Sequence, residues 1–255
     1  MKFIVEPSNN GIWVAIKPEL EKEGLVERLL SSDILISDLD DTDAPSPAKA
    51  IARNGLTTLT YLKDPKYWLW VLATGYTLAK NGKSAESEAW LRFVQRFLRN
   101  PKELEKLRRI YTSQFAASTF YPGVLDFYRL MPEEMIKIYV TRDILEVADA
   151  YKQAAGFNEA MSEQFDKKSS IREIVNKYPE RRRFVLKVDS PEEESTLEFL
   201  VQSKRLGKID EVTSIWVTDS PHKLNPKFDA NIPRNYNGLV QLIKEAYLPI
   251  IQNAY

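Results

Sequence analysis

Three carboxylates crowd the stretch ILISDLDDT, residues 34–42, where Asp38, Asp40 and Asp41 follow directly on a run of apolar and small residues. Two like unit charges 4 Å apart repel by about 4 kcal/mol at an effective dielectric near 20, so such a cluster needs a compensating charge. The composition narrows the chemistry it can serve. There is no cysteine, which removes disulfides, thiolate catalysis and cysteine-ligated zinc. A single histidine, His222, makes a multi-histidine metal site impossible and leaves any Ser-His-Asp triad dependent on that one residue. None of the nine glycines falls in a G-x-G-x-x-G or G-x-x-x-x-G-K-[ST] pattern, so dinucleotide and P-loop readings fail. Carboxylate chemistry remains.

Four apolar runs of strand length must position these groups: DILISD (33–38), IKIYVT (136–141), RFVLKVD (183–189) and SIWVTD (214–219). They alternate with longer amphipathic stretches, the pattern of a parallel sheet flanked by helices. Each run ends in Asp or Thr. In an open parallel sheet, ligands bind outside the carboxyl ends of the strands, so these polar tips are expected to share one crevice. Asp, Ser and Thr also cap following helices, which explains any one of these termini but less readily all four. The first 32 residues read as a hairpin, KFIVEP with GIWVAIK, followed by the helix ELEKEGLVERLLSS. Between the first and second runs, SAESEAWLRFVQRFLRN and PKELEKLRRIYTSQFAA have helical spacing, with Trp90, Phe93, Val94 and Phe97 on one face. This predicts a helical subdomain over 43–120 inserted into a core made of 1–42 and 121–255. The most apolar run, Tyr67–Ala79, falls short of the roughly 20 residues that span a bilayer and reads as a buried helix. The chain returns to the core at FYPGVLDFYRLM, where Tyr121, Pro122 and Gly123 form a turn.

ILISDLDDT, an apolar strand followed by D-x-D-x-T, resembles the first motif of the haloacid dehalogenase-like (HAD) superfamily of phosphohydrolases. The resemblance runs through most of the chain in order. YPGVLDFYRLMPEEMIKIYVTRD is similar to the second motif, ending in Thr141; FDKKSSIREIVNKY to the third, a lysine at a helix start, with Lys168 preferred and Lys167 the adjacent candidate. FVLKVDSPEEESTLEFL is similar to the fourth, with Asp189 and a second acid, Glu193; KFDANIPRNYNGLVQLI resembles the last short strand and helix. Asp219 competes with Asp189 but has Lys223 where a second acid is expected. The fold implied is α/β, a Rossmann-like parallel sheet core with an inserted all-helical cap.

The resemblance implies a magnesium-dependent phosphatase acting on a small phosphorylated metabolite through an aspartyl-phosphate. Asp38 would be the nucleophile and Asp40 the general acid and base. Thr42, Thr141, Arg142 and Lys168 would contact the phosphate or substrate, with Thr141 and Lys168 also catalytic. Mg²⁺ would be held by Asp38, the backbone carbonyl of Asp40 and Asp189, with Glu193 orienting its waters. Asp40 and Thr42 favour phosphatase chemistry over carbon–halogen cleavage. One departure stands out: glycine is common before the fourth-motif aspartate, whereas here Val188 precedes Asp189 and Lys187 precedes Val188. It motivates an alternative, a non-catalytic phosphate- or partner-binding protein on the same scaffold. A receiver domain also uses paired aspartates, but at about half this length and without the insertion. With 36 basic and 36 acidic residues, nothing global favours nucleic acid or an anionic membrane. A charged and polar N-terminus without a long apolar run leads to the expectation of a soluble, cytoplasmic protein. Oligomeric state is not legible.

Overall fold

The computed structural model describes residues 3–7, 13–45, 101–164 and 166–252. Among them, eight strands make one sheet: β1 (Ile4–Pro7), β2 (Trp13–Ile16), β3 (Ile34–Ser37), β4 (Ile136–Val140), β5 (Glu159–Met161), β6 (Arg183–Val188), β7 (Glu211–Val217) and β8 (Ala230–Ile232). The spatial order is β1-β2-β8-β7-β6-β3-β4-β5. From β8 to β5 all neighbours are parallel, and the β1–β2 hairpin is added antiparallel at the β8 edge.

The helices are α1 (Lys22–Leu30), α2 (Pro101–Ile110), α3 (Ser113–Thr119), α4 (Val124–Leu130), α5 (Leu145–Ala155), α6 (Lys167–Lys177), α7 (Glu194–Arg205) and α8 (Asn237–Gln252). Every residue of β3 is buried, as a strand between two parallel neighbours with helices on both faces must be. The alternation of side chains then divides the core. Leu35, Tyr139, Val185 and Ile215 join residues of α1, α4, α5 and α8 on one face. Ile36, Ile138, Leu186 and Trp216 pack with Ile171, Ile174 and Val175 of α6 and Leu197 and Leu200 of α7 on the other. Gly123 starts α4 with φ of 80°, and a Cβ there would lie 2.7 Å from the backbone nitrogen of Asn237. Only glycine allows α4 and the start of α8 to meet this closely.

The four expected strands are β3, β4, β6 and β7, and the amino-terminal hairpin and helix fall where the sequence places them. The three-residue edge strand β5 was not expected, because Glu-Ala-Met carries no apolar run. Of the helical subdomain expected over 43–120, most of the segment, including Tyr67–Ala79 and Trp90, Phe93, Val94 and Phe97, lies outside the described residues. Its described end, α2 and α3, is helical. At its start Asp43 and Ala44 are buried with the core, and the Tyr121 N–H donates to the Asp43 carbonyl at 2.9 Å, tying the two ends of the interval together. No helix among the described residues is long and apolar enough to cross a membrane.

Candidate functional site

The carboxyl ends of β3, β4 and β6 place their following residues side by side. Asp38, one residue past β3, is buried and its N–H donates to the Lys187 carbonyl of β6 at 3.0 Å. One oxygen from each of Asp38, Asp189 and Glu193 lies within 4.8 Å of the other two. Asp189 follows β6, and Glu193 closes a single 3-10 turn, Pro191–Glu193, that Ser190 caps through the Glu192 N–H. Three acids from two strand ends thus converge.

Two cations hold this cluster together. Lys167, the first residue of α6, places Nζ 2.7 Å from Asp38 Oδ1 and also pairs with Glu193. Asp38 Oδ1 further accepts the Leu39 N–H at 2.8 Å, so both donors take the same oxygen. Burial works to lower the Lys167 amine, but the charges of Asp38 and Glu193 outweigh it and push it up. Lys168, the preferred lysine on sequence grounds, is exposed. The correction has a simple cause: Asp166 caps α6 by accepting the Ser169 N–H at 3.2 Å, and consecutive helical residues point about 100° apart. Only Lys167 can face the strand ends.

The second cation, Arg234, carried no signal in the sequence. It donates from Nη2 to Asp189 Oδ2 at 3.0 Å, from Nη1 to Asp219 Oδ2 at 2.5 Å and from Nε to the Asp41 carbonyl at 2.5 Å. Asp219, the competitor for the fourth motif, is therefore an exposed partner of Arg234, and Asp189 is the acid in the cluster. Asp41 adopts φ of 57°, a left-handed conformation that a non-glycine residue visits rarely, though aspartate more readily than most.

Even so, negative charge is in excess. Burial first, then the charge of Asp38, pushes Asp189 up to about 7 against the pull of Arg234. The same two causes push Glu193 up to about 8 despite Lys167. Glu193 Oε2 is buried without a hydrogen-bond partner among the described residues. Converging carboxylate oxygens, one of them orphaned, suit a hard divalent cation.

Asp40 turns its carboxyl to a further acid, Asp143, that sequence reasoning passed over. Burial raises Asp40 well above its usual range, and the Asp143 charge adds to the effect. Asp143 is buried two residues beyond Thr141, which follows β4 and whose Oγ1 accepts the Asp143 N–H at 3.1 Å. Thr141 is fully buried. Arg142 lies at the rim and donates to Glu192 at 2.6 Å. Thr42 is buried, its hydroxyl without a partner among the described residues and its carbonyl accepting from Tyr236 at 3.0 Å. Asp38, Lys167, Asp189 and Glu193 are thus in mutual reach, whereas Lys168 is not and Thr42 has no hydrogen bond to them.

No protein-family model and no curated protein matches the sequence. Solved structures do match in fold. One is a protein of Burkholderia xenovorans LB400 assigned to the haloacid dehalogenase-like hydrolases, with TM-score 0.52 and 16% identity, over 84% of this chain and 98% of that one. Another is cytosolic 5'-nucleotidase IIIB bound to cytidine, with TM-score 0.52 and 11% identity, over 93% of this chain and 95% of that one. At such identities the likeness is one of architecture.

Proposed function

We propose, for a chain that carries the haloacid dehalogenase-like fold, that it is a magnesium-dependent phosphatase hydrolysing a small phosphorylated metabolite through an aspartyl-phosphate on Asp38. The observation that carries this reading is the approach of Asp38, Asp189 and Glu193 within 4.8 Å, with Lys167 on Asp38. Asp38 and Asp189, with Glu193 behind them, would hold Mg²⁺, which when bound neutralises the carboxylates and the charge of the phosphoryl oxygens.

In the first step an Asp38 oxygen attacks phosphorus as the bond to the leaving oxygen breaks, and Asp40 gives its proton to that oxygen, releasing the alcohol. In the second, water attacks the acyl phosphate, Asp40 takes a proton from the water, and phosphate and the free Asp38 carboxylate result. Asp143 keeps Asp40 protonated for the first step. Thr141 and Arg142, which follow β4, would meet phosphoryl oxygens, and Lys167 would hold Asp38 in line. A cap formed within 43–120 would close over this crevice and exclude bulk water.

The direct test is release of phosphate from p-nitrophenyl phosphate and a panel of phosphorylated metabolites, with and without magnesium. Turnover that disappears on chelation supports the reading. Negligible rates across the whole panel with magnesium present reject it.

Metal binding should also depend on pH in a defined direction. Asp189 and Glu193, raised to about 7 and about 8, favour the fold fully below their ordinary values and withdraw that support as pH climbs through the raised ones. A cation binds their deprotonated forms. Millimolar Mg²⁺ should therefore raise the melting temperature by several degrees at about pH 8.5 and by much less at about pH 5.5. Equal shifts at both would count against this ligand set.

Asp143→Asn offers a third check. Removing that charge takes away the second-largest cause of Asp40's elevation, so the general acid loses its proton earlier. The alkaline limb of the kcat profile should move down by about one pH unit. An unmoved limb would remove Asp143 from the mechanism.

A further inference from the structure

Behind the acidic cluster lies a second charged group that the proposed reaction does not use. Lys187 of β6 and Asp43 form an ion pair with no exposed side-chain surface on either partner. Lys187 Nζ lies 5.2, 4.4 and 4.6 Å from the ring centres of Phe127, Tyr128 and Tyr236. Both oxygens of Asp43 are engaged: Oδ1 by Lys187 and by the Tyr236 hydroxyl at 3.1 Å, Oδ2 by Tyr128 and by the Ser37 hydroxyl at 3.1 Å.

The position of the pair matters more than its burial. Asp43 ends the turn that begins at Asp38, and Lys187 stands two residues before Asp189. The same Lys187 accepts the Asp38 N–H through its carbonyl. Ser37 Oγ also lies 2.7 Å from the Asp38 carbonyl, and the Tyr236 hydroxyl 3.0 Å from that of Thr42. One network therefore grips the turn at Ser37, Asp38, Thr42 and Asp43 and fastens it to the strand that delivers Asp189. Asp38 and Asp189 repel, and that force pushes turn and strand apart. Stability does not call for an ion pair here, since a buried pair exchanged for apolar residues of similar volume is often neutral or stabilising, and the surroundings are aromatic. What an apolar pair lacks is fixed direction.

We infer that Asp43 and Lys187 are positioning residues that set the spacing between the nucleophile's turn and the metal-bearing end of β6, keeping Asp38 and Asp189 within reach of one cation. The inference rests on the phosphatase reading for its consequence in turnover, but not for its consequence in magnesium binding.

The test compares the full-length wild type with the double variant Asp43→Leu/Lys187→Met. Magnesium alone is titrated calorimetrically, and kcat and KM are measured with p-nitrophenyl phosphate. A double variant that melts within a few degrees of wild type should need about tenfold more magnesium, the scale at which groups supporting metal ligands act. Its kcat at fixed magnesium should fall with little change in KM. Wild-type magnesium affinity in that folded double variant overturns the inference, because a purely structural pair would leave it unmoved.

Should the double variant not fold, Tyr236→Phe removes one hydroxyl from the network and keeps the charges. A roughly threefold rise in the magnesium dissociation constant supports the inference, and no change overturns it. If wild type binds magnesium but releases no phosphate, the phosphatase reading fails while the affinity comparison still judges the pair. A wild type that binds no magnesium sinks both.

Discussion

Asp38→Asn should abolish phosphate release, by about 10³-fold or more in kcat, and at the same time leave the protein as stable as before or more so at pH 8. The loss follows from the role: an amide cannot form the acyl phosphate, and removal of a covalent nucleophile takes away the whole two-step path. The gain follows from electrostatics. The Asp38 charge is the second-largest cause that raises both Asp189 and Glu193, after burial. Taking it away lets both ionise at lower pH and so reduces the cost of folding with them charged at pH 8. Lys167 keeps Glu193 as a partner. Steady-state assays and thermal melts on the same preparations measure the two effects. An active variant would end the nucleophile assignment. A variant that melts well below wild type at pH 8 would mean that the ion pair with Lys167 outweighs the repulsion among the acids.

The second large effect concerns folding. Lys187→Met alone should destabilise by about 3–5 kcal/mol, because it leaves Asp43 in an aromatic interior without its cation. Asp43→Leu should cost about as much by stranding Lys187, whose amine burial already pulls down to about 8 against the Asp43 charge. Making both changes together should cost far less than the sum, since each removes the charge that the other isolates. Urea denaturation of the four proteins gives the coupling directly. If the two single effects simply add, the pair is not the closed unit that its contacts describe. The hydroxyls around it should report the same environment: burial first and the Asp43 charge second push Tyr128, Tyr139 and Tyr236 above the ordinary phenol range.

The legible parts of the molecule were those in which one local pattern sufficed. An apolar run ending in aspartate fixes a parallel strand and the place where its ligand-facing residue emerges, which is why Asp38 and Asp189 could be named together. Glu193 came from the resemblance of its segment to the fourth motif, and one tight turn carries it back to Asp189. The choice between Lys167 and Lys168 was not of this kind, because adjacent residues at a helix start differ only by rotation and the cap on Asp166 decides which faces inward. Asp143 drew no notice in the sequence, and its meaning comes from Asp40, which the chain brings to it from a different strand. Arg234 lay in a short connecting segment without periodicity. Lys187 did leave a mark, a lysine within the apolar run FVLKVD, but its partner Asp43 fell at the first position of the expected insertion, and sequence spacing says nothing about a contact between them.

The amino-terminal hairpin carries a consequence for how the protein is made. Ala15 pairs with Asn231, 216 residues further along the chain, so Trp13–Ile16 fills the sheet next to a strand that the ribosome releases long after it. Until then β2 has only β1 to pair with, and the apolar face of the hairpin must be kept apart from other chains. Moving residues 1–32 to follow residue 252 through a flexible linker, by circular permutation, would let both sides of that pairing emerge together, and the soluble yield on expression should improve most where aggregation competes hardest.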